Sequence, residues 1–313
     1  MSESIHLKLG TRGSLLARTQ SQLVASDIEK RHPHVTVELI IIKTSGDAIQ
    51  DRPLHEFGGK GLFTKELEQA LLRKEVDFAV HSFKDVPVTM PLVDTSDLVI
   101  AAIPERENPY DAFISTRAKR ILDLPSGAKV GTGSLRRRCQ ILQLRQDLRI
   151  EPIRGNIDTR VKKLRDGEFD AIVLAMAGLR RGGLFDPDYM FECTEMVPAS
   201  GQGALALQCR RDDEKVGDLL AVMDDAQTRT CVRAEREVVR LLQGDCHSPI
   251  AAYATIAKGV LKLVTRIGAR GGELPVLTAE ATGPAESPEV TAGTVVTHLK
   301  AQGAIQNLQN VNQ

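Results

Sequence analysis

Residues 8–16 read K-L-G-T-R-G-S-L-L, and residues 129–137 read K-V-G-T-G-S-L-R-R. Each stretch closes an apolar, strand-like run with a Gly/Ser/Thr turn and opens a segment with helical spacing. A strand-to-helix junction that occurs twice predicts two α/β units of similar design. Such a turn leaves backbone N–H groups free at a helix start, where the positive dipole end suits an anion. Neither junction is the phosphate loop of nucleotide enzymes, which needs a Lys after its second glycine. Taken singly, Ser14 and Ser134 serve equally well as plain helix caps. The duplication points instead to a ligand held between two lobes.

Outward from the first junction, Ile5–Leu9 reads as a strand and Ser14–Arg31 as a helix. Val35–Ile42 is a β-branched run expected to be buried on both faces. A helix over Gly61–Lys74 and strands at Phe78–Val80 and Leu98–Ile103 follow. Around the second junction, strands are expected at Ala112–Ser115, Lys129–Gly131, Leu148–Ile153 and Ala171–Ala175. Helices are expected at Leu135–Arg145 and Ile157–Asp166. The alternation predicts mostly parallel sheets covered by helices, and Ala204–Gln208 is placed back in the first sheet. Beyond Ala226 a helix, three strands and a further helix near Glu289–Gln302 make a small α+β domain, with a fraying tail after Gly303. The expected fold class is α/β, two lobes plus this smaller domain. The divisions fall at 1–104 with 197–222, 105–196 and 223–313.

Lys+Arg and Asp+Glu each number 41 in the 313 residues, so the formal net charge is zero. That balance excludes a chain that binds nucleic acid through global charge. The 4% aromatic content, without Trp, excludes a stacking platform for single strands. No run approaches the ~18–20 apolar residues of a membrane span, and MSESIHLKLG carries no apolar signal core. The zero is unevenly distributed. Residues 116–181 hold sixteen Lys/Arg against seven Asp/Glu, a net of +9, flanked by −4 before and −5 after. Lys119, Lys162 and Lys163 read as solvated helix faces. Arg136, Arg137, Arg138, Arg154 and Arg160 instead follow predicted strands, where open α/β sheets bind ligands. Arginine is also the side chain whose fork matches a carboxylate or phosphate. The expected ligand is a small polyanion.

H-S-F-K-D-V-P, residues 81–87, closes a short strand. Its Lys84–Asp85 pair reads either as a surface ion pair of little worth or as a cleft carboxylate able to move protons or face a cation. The five cysteines, Cys139, Cys193, Cys209, Cys231 and Cys246, are odd in number and contain no C-x-x-C pair. Reduced thiols and no metal site are expected, most of the five being small buried hydrophobes. Cys246, in G-D-C-H-S-P-I (residues 244–250), sits in a more exposed Gly/Pro loop, beside an Asp245 that does not favour its thiolate.

In order along the chain stand G-T-R-G-S-L-L-A, G-G-K-G-L-F-T-K-E-L-E, A-V-H-S-F-K-D-V-P, E-R-E-N-P-Y-D-A-F, G-T-G-S-L-R-R-R-C-Q, L-R-I-E-P-I-R-G-N-I-D-T-R, L-A-M-A-G-L-R-R, S-G-Q-G-A-L-A-L-Q-C-R and G-D-C-H-S-P-I. Together, over about residues 5–300, they closely resemble the porphobilinogen deaminase family. The resemblance implies a cytoplasmic, monomeric transferase of tetrapyrrole biosynthesis. It would join four porphobilinogens into hydroxymethylbilane with release of ammonia. It implies a dipyrromethane cofactor carried covalently on Cys246, a soft sulfur suited to trapping an electrophilic methylene-pyrrole. It further implies a catalytic Asp85 with Arg12 close by, and cofactor contacts from Lys84, Asp85, Ser134, Arg136, Arg137 and Arg160. Substrate contacts would come from Arg12, Ser14, Lys60, Thr132, Arg154 and Arg181. The implied fold is two lobes like a periplasmic binding protein, with a third domain bearing the cysteine loop. Three positions depart from the family pattern: Glu56 for a lysine, Phe83 for a methionine and Asp245 for a glycine. The rival reading is a non-catalytic two-lobed protein that binds a small anion, which has no use for Cys246 or Asp85.

Overall fold

The computed structural model describes residues 4–44, 64–88, 97–245 and 247–309. The chain divides into two compact units, Met1–Glu107 with Ala204–Arg229, and Asn108–Gly203 with Thr230–Gln313. It begins with β1 (Ile5–Arg12), α1 (Leu15–Arg31), β2 (Val35–Ile42), α2 (Lys65–Leu72), β3 (Phe78–Ser82) and β4 (Leu98–Ala102). The middle contains β5 (Asp111–Ile114), β6 (Lys129–Gly131), α3 (Leu135–Leu144), β7 (Arg149–Glu151), α4 (Ile157–Arg165), β8 (Ala171–Ala175), α5 (Met176–Arg181) and β9 (Met190–Cys193). Then follow β10 (Leu205–Arg210), α6 (Glu214–Ala221) and α7 (Ala226–Leu241). The chain closes with β11 (Ile250–Ala257), β12 (Val260–Ile267), β13 (Leu277–Pro284), α8 (Pro288–Ala301) and α9 (Ala304–Gln309).

The first unit holds a five-stranded sheet in the order β2-β1-β3-β10-β4. β1 runs parallel to β2 and β3, while β10 is antiparallel to both β3 and β4, so four of the five strands point the same way. Alternating side chains fill both faces. On one, Leu7, Leu9, Phe78, Val80 and Leu207 pack against Val24, Ala25 and Ile28 of α1 and Val216, Leu219 and Leu220 of α6. On the other, Ala79 and Leu98 meet Leu67, Ala70 and Leu71 of α2. Each large side chain taken out of water in this way contributes ~1.5–3 kcal/mol. β2 departs from expectation. Its β-branched run lies at the sheet edge, and only Val35 of the strand is buried. Pairing on one side alone leaves Ile40, Ile41 and Ile42 partly or wholly exposed.

The second unit repeats the plan in the order β7-β6-β8-β5-β9, with β6 parallel to β7 and β8, and β5 antiparallel to β8 and β9. Again four strands share one direction. Ala112, Ile114, Ile172 and Leu174 face Val161 and Leu164 of α4, while Phe113, Val130, Ala171 and Val173 face Ile141 of α3. β9 is too short and too polar at Glu192 to announce itself in sequence; it forms by pairing along β5. The same unit contains the antiparallel sheet β11-β12-β13, with α8 packed on it through Ala292, Val295, Val296 and Leu299. Fully buried Glu235 of α7 accepts hydrogen bonds from the Ala254 N–H of β11 (2.9 Å) and the Gly201 N–H (2.7 Å). The segment after Gly303 does not fray at once, as its polarity suggests, but forms α9, anchored by fully buried Ala304.

Gly131 ends β6 at the second junction. A Cβ there would lie 2.9 and 3.0 Å from the Phe169 ring and 3.1 Å from Ile172 Cγ2. Gly131→Ala is therefore expected to cost about 1–3 kcal/mol by overpacking. Chemical denaturation should read this as a lower midpoint at unchanged slope, and an unchanged midpoint would contradict the close approach.

Candidate functional site

In the second unit the carboxyl ends of parallel β6, β7 and β8 lie side by side, so the loops that follow them open at one edge of the sheet. The loop after β6 carries Thr132 and Ser134. Thr132 is buried, its N–H donates to the Glu151 carbonyl (2.9 Å), and its Oγ1 accepts from the Ser134 N–H (3.2 Å). Ser134 is the N-cap of α3, its hydroxyl accepting from the Arg137 N–H at 3.4 Å. Arg136 and Arg137 thus fall in the first turn of α3, and both are buried.

What they meet is Asp111, the first residue of β5, whose side chain is 1% exposed. Arg136 grips it in a fork, Nη1 to Oδ2 at 2.8 Å and Nη2 to Oδ1 at 3.1 Å. Arg137 adds Nε (3.0 Å) and Nη2 (2.8 Å) to Oδ1, and Gln202 Nε2 donates to the same oxygen at 2.9 Å. The remaining bonds of the pair run to backbone: Arg136 Nη1 to the Val197 carbonyl (2.9 Å) and Arg137 Nη1 to the Val173 carbonyl (3.0 Å). Burial alone would raise the Asp111 pKa. The charges of Arg136 and Arg137, and their hydrogen bonds, overcome it and hold the carboxyl well below its ordinary range. Burial pulls Arg137 downward, opposed by the charge of Asp111 and reinforced by that of Arg136; as a guanidinium it stays charged.

Arg160, in α4, donates Nε to the Gly155 carbonyl (2.7 Å). Its pKa is lowered to about 10, first by burial, then by the positive charges of Arg137 and Arg154. The loop after β7 and the start of α4 therefore bring Arg160 within electrostatic reach of both Arg137 and Arg154. Among the described residues neither Arg154 nor Arg160 is paired with a carboxylate. Arg181, ending α5, donates to the Gly203 carbonyl at 2.9 Å. Two guanidiniums on one buried carboxylate, with Arg160 in reach of Arg137 and of Arg154, leave an excess of positive charge that calls for an anion.

The first unit supplies the other set. β1 and β3 are parallel neighbours, with Gly10 opposite Ala79. Arg12 at the end of β1 and the turn Phe83–Asp85 after β3 therefore emerge at the same sheet edge. Ser14 caps α1, accepting from the Ala17 N–H at 3.4 Å. Lys84 and Asp85 lie half-buried in one turn of 3-10 helix, while Phe83 between Ser82 and Lys84 is buried. Asp85 accepts no hydrogen bond among the described residues, so its carboxylate is uncommitted. Beneath the turn runs a buried polar chain. His81 Nε2 donates to Gln208 Oε1 (2.9 Å), and Gln208 Nε2 lies 3.4 Å from Glu68 Oε1. Burial pushes the His81 pKa down to about 4; the Gln208 bond opposes this and the Arg12 charge adds to it. Glu68 is raised by burial, partly offset by Gln208.

Cys246 and Lys60, with the departing Glu56, lie outside the described residues. Around position 246 the loop is folded by Asp245, whose Oδ1 accepts from the His247 N–H (2.9 Å), the Ser248 N–H (2.8 Å) and the Ser248 hydroxyl (2.8 Å). The other four cysteines are buried, and none of them is in a disulfide. Burial raises the thiols of Cys139 and Cys209 to about 11 and that of Cys193 higher still. Sequence reasoning quoted Asp111 within N-P-Y-D-A-F but assigned it no part. The available signal was an acidic residue opening the otherwise apolar strand D-A-F-I, a position that must be paired. Nothing comparable marked Gln208 or Glu68.

The family model described as "Porphobilinogen deaminase, dipyromethane cofactor binding domain" matches residues 7–218, and "Porphobilinogen deaminase, C-terminal domain" matches residues 229–301. The porphobilinogen deaminase of Chromobacterium violaceum is 44% identical over 95% of this chain and 94% of its own length. That of Pelobacter propionicus is 45% identical, covering 98% and 97%, and that of Lawsonia intracellularis 48%, covering 80% and 81%. This chain belongs to the porphobilinogen deaminase family. Among solved structures, an arginine transport periplasmic binding protein from Legionella pneumophila is similar at 17% identity and a TM-score of 0.39, over 70% of this chain and 92% of that one. No helix of the described residues is long and apolar enough to cross a membrane.

The buried His81 yields a pH dependence. Its folded pKa of about 4 lies below the ordinary histidine value of about 6.5. Stability is therefore full above pH ~6.5, falls as the pH drops from there to about 4, and loses nothing further from this group below that. Thermal melts across this range should show the decline, and His81→Gln should flatten it. A variant with the wild-type slope would remove His81 as its source.

Proposed function

We propose that this chain catalyses the stepwise head-to-tail condensation of four porphobilinogen molecules, releasing ammonia and, by hydrolysis, hydroxymethylbilane, in tetrapyrrole biosynthesis. The observation that carries the reading is the arginine cluster. Asp111 pairs with Arg136 and Arg137, while Arg154 and Arg160 meet no carboxylate among the described residues. A substrate with an acetate and a propionate on every ring supplies the missing negative charge. The rival anion-binding protein explains the cluster but leaves Asp85 uncommitted at a strand end without a use.

The same donor set fits a dipyrromethane, whose two rings also bear an acetate and a propionate each. Bound through Cys246, that group would supply the free pyrrole carbon at which the product is extended. Arg136, Arg137 and Arg160, with Ser134 and Lys84, would hold its carboxylates. Thr132, Arg154 and Arg181, with Arg12, Ser14 and Lys60, would hold those of the substrate. Asp85 would act on the incoming porphobilinogen. Its carboxylate assists departure of the amino group as ammonia, faces the azafulvenium cation left on the methylene-pyrrole, and accepts the pyrrole proton displaced when the new carbon–carbon bond forms. A carboxylate without a hydrogen-bond partner among the described residues can do this without first breaking a bond to one of them. In this reading the enzyme is a cytoplasmic monomer, and residues 223–313 form a third domain carrying the Cys246 loop.

Intact mass spectrometry with and without porphobilinogen tests the proposal. The purified chain should exceed its sequence mass by a dipyrromethane and colour with Ehrlich's reagent, and Cys246→Ser should do neither. Asp85→Ala should keep the added mass while bilane formation falls by about 10²–10⁴. A protein of bare sequence mass that turns over no porphobilinogen would sink the reading.

A further inference from the structure

We infer that Asp111 is a positioning residue for the ligand-holding arginines, setting both the orientation of Arg136 and Arg137 and the charge they have left to offer. The inference rests on the reading of the site given above and extends it to a residue outside the arginine set. Each guanidinium has five N–H donors in a fixed plane. Arg136 commits three of them, two to Asp111 and one to the Val197 carbonyl. Arg137 likewise commits three, two to Asp111 and one to the Val173 carbonyl. Bonds on two sides fix the plane of each fork, so the remaining donors point in a set direction before any ligand arrives.

Charge follows the same geometry. Two cations on one carboxylate leave a net charge of +1. The pair is therefore matched to a single ligand carboxylate, and binding that carboxylate brings the cluster to neutrality. Without Asp111 the two guanidiniums would repel one another at close range in a buried setting, and no other described carboxylate touches either of them. Asp111 is itself held from a third direction. Gln202 Nε2 bonds Oδ1 (2.9 Å) and the Pro109 carbonyl (2.7 Å), and β5 fixes the Asp111 backbone opposite Ala175 and Cys193. Nothing in this arrangement lets the carboxylate swing away.

The test uses the full chain and three proteins: wild type, Asp111→Asn and Asp111→Glu. Intact mass gives the fraction carrying dipyrromethane, circular dichroism gives the fold, and steady-state kinetics give KM and kcat for porphobilinogen. Asp111→Asn, which keeps the shape and loses the charge, should retain the wild-type spectrum while its loaded fraction falls about tenfold, as when the residue supporting a ligand-holding group is removed. Asp111→Glu keeps the charge on a longer stem and should load to an intermediate extent, with KM raised more than kcat is lowered. A merely structural carboxylate would lower the melting temperature of both variants and leave loading and KM of the folded protein unchanged. If Asp111→Asn does not fold, Asp111→Glu decides alone, and full loading with wild-type KM overturns the inference. Absence of dipyrromethane from the wild type overturns the deaminase reading itself; a loaded wild type with equally loaded variants overturns the role of Asp111 only.

Discussion

Two guanidiniums buried on one carboxylate are an expensive arrangement, and much of the second unit is organised to make it tolerable. Removing these charges from water costs several kcal/mol each unless geometry and hydrogen bonding compensate. The sheet order provides the geometry. Because β5 lies between β8 and β9, its first residue, Asp111, is carried into the interior opposite Ala175 and Cys193. Because Ser134 starts α3 where it does, the next two side chains but one reach that same interior from the helix side. The carbonyls of Val173 and Val197 and the amide of Gln202 then take up the remaining demands. A shift of any of these elements by one residue would leave a bare charge inside the protein.

The two units share a strand order but not a chemistry. In each, one antiparallel strand is inserted among four that run together, and loops leave the carboxyl ends of neighbouring parallel strands. The first unit places Arg12, Lys84 and a carboxylate, Asp85, at that edge. The second places arginines there almost alone. This is how a chain of zero formal charge concentrates +9 within residues 116–181. The plan of the fold is repeated, while the side chains at its loops differ, a carboxylate standing among them in the first unit and arginines prevailing in the second.

The fold was legible wherever local pattern and tertiary setting agree. The strands Lys129–Gly131 and Ala171–Ala175 stand where their apolar runs lie, and α1 starts at its Ser14 cap. Legibility failed where neighbours decide. The sequence of β2 says buried, but its place at the edge of the sheet says otherwise. β9 exists because β5 offers it a partner, and α9 persists because Ala304 finds a buried seat. At the site, Arg136, Arg137, Arg154 and Arg160 were readable from their positions after strands. Asp111 was not, because its meaning comes from β5 lying beside β8, a non-local pairing that no window of sequence contains. The same holds for His81, Gln208 and Glu68, drawn from three separate segments into one buried chain.

These two buried polar groupings are departures from the rule that interiors are apolar or fully paired, and they lie under the loops that the family resemblance singles out. Local rules are most often broken where function requires it, with the cost met elsewhere in the fold. Here the forms of compensation differ. The Asp111 cluster is charged, with both carboxylate oxygens bonded and each guanidinium fixed by three of its donors, which gives rigidity and a defined direction. The His81 chain is held neutral on the histidine side by burial, and at its far end Glu68 Oε2 has no hydrogen-bond partner among the described residues. A charged, pinned cluster is what a site needs to present fixed donors to a carboxylate. The polar chain that leads from β3 to α2 keeps its histidine uncharged, so no imidazolium stands just ahead of the turn that carries Lys84 and Asp85. The two groupings thus meet the cost of burial in opposite ways, one by pairing charge with charge and the other by giving charge up.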